Sequence, residues 1–257
     1  MKGWTIFSHS VRMVIRNLNH GFRIAAGPVL IGVAIVFALL ASAGLPLTLL
    51  GDQQALLQAL AAGGFGLTLL VVFLVIIAVQ IWVFVSWHRF VLLEEYPSGL
   101  LPAFRGDRIL AYVGKSLLIA LVGMAIMIPA GVAAALLSSI AGQGAAIVII
   151  PAYIVLVLFL LVTIYRLTPA LPAAAIGHSL KLREAWQKTR GTTGAIILLV
   201  LLIGLMQLLL QLVASLSMAV FAPLGVVFLI LVSLITTLVN VSVITTFYGH
   251  YVEGRPI

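Results

Sequence analysis

The sequence predicts an all-α membrane protein with six transmembrane helices and amphipathic helices at its cytoplasmic interface. Of the 257 residues, 63% are hydrophobic and only 8% are charged, whereas soluble domains carry roughly 25% charged residues. Six apolar stretches are long enough to cross a bilayer, and the basic residues fall between or just inside them. These stretches are apolar on all sides. Because the strands of a membrane barrel instead alternate apolar and polar residues in segments of roughly ten residues, helices are predicted.

A transmembrane helix needs about 20 apolar residues. Within a single transmembrane domain of residues 1–257, the spans are predicted at about 27–50, 64–87, 110–137, 144–166, 195–220 and 225–248. All fourteen Lys and Arg residues fall on one side of this arrangement, and the opposite loops hold Asp52 as their only charge. Because basic residues in short loops stay in the cytoplasm, both termini are predicted to be cytoplasmic.

Residues 1–25 are predicted to form an amphipathic helix that precedes the first span. Apolar side chains recur at helical spacing on one face, with polar and basic side chains opposite. The apolar face consists of Trp4, Phe7, Val11, Val14, Leu18 and Phe22. The polar face consists of Ser8, Arg12, Arg16 and Asn19. Arg12 and Arg16 are therefore candidate contacts for anionic lipid headgroups.

The first span has an alternative interpretation as a secretory leader, because its apolar stretch VLIGVAIVFALLASAG contains Ala41-Ser42-Ala43, which resembles a cleavage site. A leader cleaved there exceeds the usual length of about 15–30 residues. An uncleaved first span is therefore favoured.

Charge is concentrated between spans four and five, where a helix over 179–190 is predicted with Ser179 as its N-cap. One side of this helix is largely apolar and contains Leu182, Ala185, Trp186 and Thr189. Its basic residues are candidate headgroup contacts at the cytoplasmic leaflet, namely Lys181, Arg183, Lys188 and Arg190. The alternative is a solvated loop that only carries topogenic charge.

A basic residue followed by glycine recurs before three of the spans. His20-Gly21, Arg105-Gly106 and Arg190-Gly191 lie 85 positions apart. This spacing suggests a unit of one interfacial helix and one hairpin of two spans, repeated three times in parallel. Membrane topology alone is the alternative source of the pattern.

The spans five and six contain two stripes of uncharged polar side chains. Gln207, Gln211 and Ser215 recur on span five, and Ser233, Thr237 and Asn240 lie on span six. In an antiparallel hairpin these residues lie at matching depths, which predicts a polar ladder between the two helices, with Gln80 as a candidate third partner. Pairing is favoured because unpaired amides are unfavourable in hydrocarbon. The alternative is that these residues line a solute path.

Motifs for catalysis and metal binding are missing from the sequence. No acidic residue lies in a span, and we place the five histidines (9, 20, 88, 178 and 250) at or beyond cytoplasmic span ends. We therefore expect no catalytic residue, no cofactor and no metal. Nucleic acid is not an expected partner, because the basic residues flank apolar spans.

The stretch "PALPAAAIGHSLKLREAWQKTRG" resembles bacterial inner-membrane proteins of the YciC-like kind and the membrane domain that precedes some glycerophosphodiester phosphodiesterases. The matching positions are Pro169, Pro172, Ser179, Trp186, Thr189, Arg190 and Gly191. The resemblance implies a location in the bacterial inner membrane, six helices and no assigned reaction. The phosphodiesterase catalytic domain has no counterpart in this chain.

The leading functional hypothesis is a non-enzymatic scaffold or accessory subunit that contacts lipids, partner membrane proteins or further copies of itself. A permease-like or channel-like transport component is the alternative, and a membrane enzyme ranks third.

Overall fold

The computed structural model describes residues 2–44, 54, 58 and 63–257, and those residues contain helices and no strand. The described part forms nine α-helices: α1 (Lys2–Arg16), α2 (Leu18–Ser42), α3 (Gly66–Leu93), α4 (Gly106–Ala141), α5 (Ala146–Leu167), α6 (Ala170–Ile176), α7 (Leu182–Lys188), α8 (Thr193–Val220) and α9 (Ala222–Tyr251). Asp52 and Gln53 lie outside the described residues.

Six of these helices are long and apolar enough to cross a membrane, namely α2, α3, α4, α5, α8 and α9. The all-α class and the six spans predicted from the sequence are therefore confirmed. The chain reverses direction from one span to the next, so both termini and all fourteen Lys and Arg residues lie at one end of the bundle. This end is called the basic end below, and the other is called the far end.

The six spans pack as three hairpins, α2/α3, α4/α5 and α8/α9, and each hairpin contacts the other two. A short segment precedes each hairpin and packs against the previous hairpin in the chain. The segment before the first hairpin packs against the last hairpin, which closes the cycle. Thus α1 packs on α8 and α9, and residues 94–105 pack on α2 and α3. Helix α6 packs on α4 and also on α3 and α9, and α7 packs on α5. A triplicated chain would have this arrangement, and the triplication itself stays a prediction.

The predicted helix over 1–25 is divided at Asn17, and its buried face matches the predicted one only in part, since Val14 is buried and Phe7 and Val11 pack against the core. Gly3, Ile6, Ser10 and Val14 are buried against α8 and α9, whereas Trp4, Leu18 and Phe22 of the predicted apolar face are exposed. Close approach explains the difference: a Cβ at Gly3 would lie 2.5 Å from the Ala195 carbonyl oxygen. The close approach at Gly3 thus turns Ile6, Ser10 and Val14 towards α8 and α9.

The main core lies at the basic end, where α1 and the hairpin ends meet. Its fully buried side chains include Ile6, Trp87, Ile196, Leu199 and Phe247. Towards the far end the spans expose their apolar side chains, with Ile140 83% and Ile147 80% accessible. This apolar surface suits the hydrocarbon of a bilayer, in which a spanning helix has no need to hide leucine or isoleucine.

Candidate functional site

One helix from each hairpin contributes a polar side chain to a junction in the basic half of the bundle. His88 of α3 is fully buried, and its Nδ1 lies 2.8 Å from Oγ1 of Thr245 on α9. The Thr245 hydroxyl donates its single proton to the Val241 carbonyl oxygen, so Nδ1 of His88 is the donor to Thr245. The other ring nitrogen, Nε2, is then an acceptor for the hydroxyl of Tyr112 on α4, 3.5 Å away.

Two further contacts join α9 to its neighbours beside this junction. The indole nitrogen of Trp87 donates to Ser242 Oγ at 2.8 Å. The Ser10 and Thr246 hydroxyl oxygens lie 3.0 Å apart, which connects α1 to α9. Burial makes such hydrogen bonds important, because an unpaired polar group in the interior is unfavourable. The junction therefore aligns α1, α3, α4 and α9.

A charged cluster attaches residues 94–105 to the bundle. Arg89 binds the Glu95 carboxylate through Nε and Nη2, and its Nη1 donates to the Ala175 carbonyl oxygen at 3.1 Å. Arg105 binds the other carboxylate oxygen of Glu95 at 3.2 Å. Desolvation raises the pKa of Glu95, but hydrogen bonds and positive charge from Arg89 and Arg105 outweigh it and leave that pKa below its ordinary value. Glu95 is therefore ionised and paired at neutral pH.

The stretch that carries the family resemblance holds α5 and α7 together. The Arg166 guanidinium lies 3.6 Å from the centre of the Trp186 ring and donates to the Trp186 carbonyl oxygen at 2.8 Å. Thr189 is buried, and its hydroxyl contacts the carbonyl oxygens of Ala185 and Arg166. Gly191 follows with φ +76°, a conformation that glycine adopts readily. Trp186, Thr189 and Gly191 therefore have structural roles.

The six predicted headgroup contacts lie at the basic end, and every one is exposed: Arg12, Arg16, Lys181, Arg183, Lys188 and Arg190. The helix that carries Arg183 and Lys188 is shorter than predicted, because α7 begins at Leu182. Its N-cap is Lys181 and not Ser179, and the backbone N–H of Lys181 donates to the Glu184 carboxylate at 3.0 Å. The side predicted to be apolar faces the protein, with Ala185 and Thr189 buried.

The predicted polar ladder has a different geometry. Gln207, Gln211 and Ser215 of α8 and Ser233 and Thr237 of α9 line one open groove of about 910 Å³ between the two helices. This groove is called the polar groove below. Among the described residues no hydrogen bond joins the two stripes, and the Ser215 hydroxyl instead donates to the Gln211 carbonyl oxygen at 2.9 Å. Asn240 lies outside the lining of the groove.

Gln80 lines a second groove of about 490 Å³ between α2, α3 and α9. Its walls are mostly apolar, and it is called the apolar groove below. Ser233 and Thr237 belong to both grooves, which therefore adjoin along α9. Apart from Asn240, the residues predicted to pair thus line two adjoining grooves.

Sequence reasoning missed the junction. The predicted polar contacts of α9 were Ser233, Thr237 and Asn240. Its side chain to side chain hydrogen bonds are instead made nearer the basic end, by Ser242, Thr245, Thr246 and Tyr248. His88 was assigned to the interface and is instead buried. The aromatic and basic run Trp87-His88-Arg89 marks this position in the sequence. Its three side chains contact different residues, so the run alone does not show that His88 is buried.

Six spanning helices built around a core at one end define this chain as a multi-pass integral membrane protein. Comparisons with protein families, with curated sequences and with solved structures find no match for it.

Proposed function

We propose that this protein is a non-enzymatic scaffold or accessory subunit of the bacterial inner membrane, whose basic end binds anionic lipid headgroups. The observation that carries the proposal is the exposure of Arg12, Arg16, Lys181, Arg183, Lys188 and Arg190 at one end. Each Lys or Arg near an anionic surface contributes about 1 kcal/mol, and salt weakens this attraction. Partner membrane proteins, or further copies of the chain, would then assemble on a laterally positioned bundle.

The buried and half-buried ionisable groups support a structural role. His88 is engaged with Thr245 and Tyr112, Arg89 with Glu95, and Arg166 with Trp186. These pairs join separate elements of the bundle and leave the six exposed basic residues named above to meet a ligand. Membership of the YciC-like group is part of the same proposal and is supported by the motif at 169–191.

Lipid binding at the basic end is tested by changing Lys181, Arg183, Lys188 and Arg190 together to glutamine in the full-length protein. We expect phosphatidylglycerol affinity to fall by up to about a thousandfold, because four charges worth about 1 kcal/mol each are lost and 1.4 kcal/mol corresponds to a factor of ten. Native mass spectrometry of protein released from nanodiscs measures the retained lipid. The matched control exchanges Lys for Arg and Arg for Lys at the same four positions, which preserves charge. Equal retention by the glutamine variant and this control would contradict the proposal.

The proposed orientation places both termini in the cytoplasm. The chain has no cysteine, so single cysteines introduced at Gln53 and at Gln187 are unique labelling sites. We expect a membrane-impermeant maleimide to label intact cells at position 53 only, and broken cells at both positions. Labelling at position 187 in intact cells would show the opposite orientation.

The polar groove favours a second candidate function, a permease-like or channel-like transport component. Uncharged polar side chains line it for about two turns of α8, from Gln207 to Ser215. Uptake of a neutral solute by proteoliposomes, lost when Gln207 and Gln211 become leucine, would support transport over the scaffold role.

A further inference from the structure

The polar groove lies between the middle of the bundle and its far end. Gln207 is 14 residues from the start of α8 and Ser215 is five residues from its end, so these side chains lie about 21 Å and 8 Å from the two helix ends at 1.5 Å per residue. Towards the basic end the space is closed, because Ile196, Leu199 and Ile203 of α8 are buried in the core. A ligand therefore reaches the groove from the bilayer or from the far end.

The groove presents polar groups that the protein itself leaves unpaired. Gln207 and Gln211 are exposed, and among the described residues their side-chain amides have no hydrogen-bond partner. Acyl chains have no donor or acceptor at this depth, and an unpaired amide in hydrocarbon is strongly unfavourable. The occupant must therefore bring hydrogen-bonding groups into the hydrocarbon layer.

The lining also restricts the charge of the occupant. The side chains of the polar groove are amides, hydroxyls and apolar groups, without a charged residue. A charged headgroup would lose its hydration there and gain no opposite charge. The occupant is therefore uncharged.

The two grooves together fit a molecule with a polar and an apolar part. The apolar groove is lined by side chains such as Val29, Leu30 and Ile230, and it adjoins the polar groove at Ser233 and Thr237. An acyl chain in the apolar groove would place its polar group beside Ser233 and Thr237, facing Gln207 and Gln211. Leu208 and Leu212 provide further apolar walls.

We propose that the two grooves form a binding site for a neutral lipid with a hydroxyl-bearing headgroup, of the diacylglycerol class, which enters from the bilayer. The headgroup hydrogen-bonds with Gln207 and Gln211, and an acyl chain lies in the apolar groove. This site is separate from the basic end, so neutral-lipid binding and anionic-lipid binding are independent properties.

A photoactivatable diacylglycerol, with the reactive group next to its headgroup, tests this site on the full-length protein in phosphatidylcholine nanodiscs. We expect crosslinks to residues of α8 and α9 that line the polar groove. The combined changes Gln207→Leu and Gln211→Leu should reduce this crosslinking roughly tenfold, because each leucine removes the hydrogen-bonding group and keeps a similar volume. The changes Gln207→Asn and Gln211→Asn retain the amides and should preserve most of it.

The change Gln187→Leu on exposed α7 is the matched control and should leave crosslinking unaltered. Equal crosslinking of the leucine variant and the wild type would overturn the proposal. Equal crosslinking by a photoactivatable phosphatidylglycerol would also overturn it, since the groove would then take any lipid. Competition by excess glycerol would assign the groove to a small solute and not to a lipid. None of these outcomes depends on anionic lipid at the basic end.

Discussion

Replacement of Trp87 by alanine is expected to lower the free energy of unfolding by about 3–5 kcal/mol, the usual range for a buried tryptophan. Trp87 is 0% exposed and lies in the main core at the basic end, with its ring 5.4 Å from that of Phe90. Alanine would leave a cavity and would leave Ser242 without its indole donor. Both effects act where α3, α9 and α2 meet.

Thermal unfolding of the purified protein in mild detergent measures this loss. The matched control is Trp4→Ala, because Trp4 is 56% exposed on α1 and its removal should change stability little. A third variant, Trp87→Phe, retains most of the ring volume and removes the hydrogen bond, so it should lose about 1–3 kcal/mol. Equal melting temperatures for Trp87→Ala and Trp4→Ala would contradict the assignment of the core to the basic end.

Substitution of Gly27 by alanine is expected to destabilise the protein by about 1–3 kcal/mol or more through overpacking. Gly27 lies within α2 where the segment 94–105 crosses it, and a Cβ there would overlap the Leu100 carbonyl oxygen and crowd Leu101. The obstruction is backbone, which cannot rotate away as a side chain can. The segment would therefore have to move off α2.

Movement of the segment predicts faster trypsin cleavage at Arg105 as well as a lower melting temperature. Gly131→Ala is the control, because no atom lies within 4 Å of a Cβ at Gly131 on α4, and alanine favours a helix over glycine. Gly131→Ala should leave cleavage unchanged and should not lower stability. Cleavage of Gly27→Ala at the wild-type rate would contradict the close packing of the segment on α2.

The sequence predicted the basic residues and the groove residues to different extents. The exposed positions of Arg12, Arg16, Lys181, Arg183, Lys188 and Arg190 follow from local amphipathic patterns. The groove residues were found as polar groups in apolar spans, but their arrangement was not. The stripes on α8 and α9 match in depth, yet open space separates them, and depth along a helix does not determine which side chains meet.

Residues whose importance depends on a distant partner were missed. The role of His88 depends on its hydrogen-bond partners Thr245 and Tyr112, which lie on two other hairpins. The importance of Gly3 and Gly27 depends on the backbone of Ala195 and Leu100, which lies too close to them for a side chain to fit. Each contact joins positions far apart in the chain, so no pattern within one helix could have shown it.

Hydropathy and charge by themselves determined the class of the protein, the number of spans and the end at which all basic residues lie. These properties follow from local runs of side chains, because about 20 apolar residues must form a helix in the bilayer. Only the tertiary structure decided that α1 buries Gly3, Ile6, Ser10 and Val14, that His88 joins three hairpins, and that the polar stripes line a groove. Those features depend on which helices approach closely and in what rotation, and lipid solvates apolar faces well enough that hydrophobicity does not choose among them.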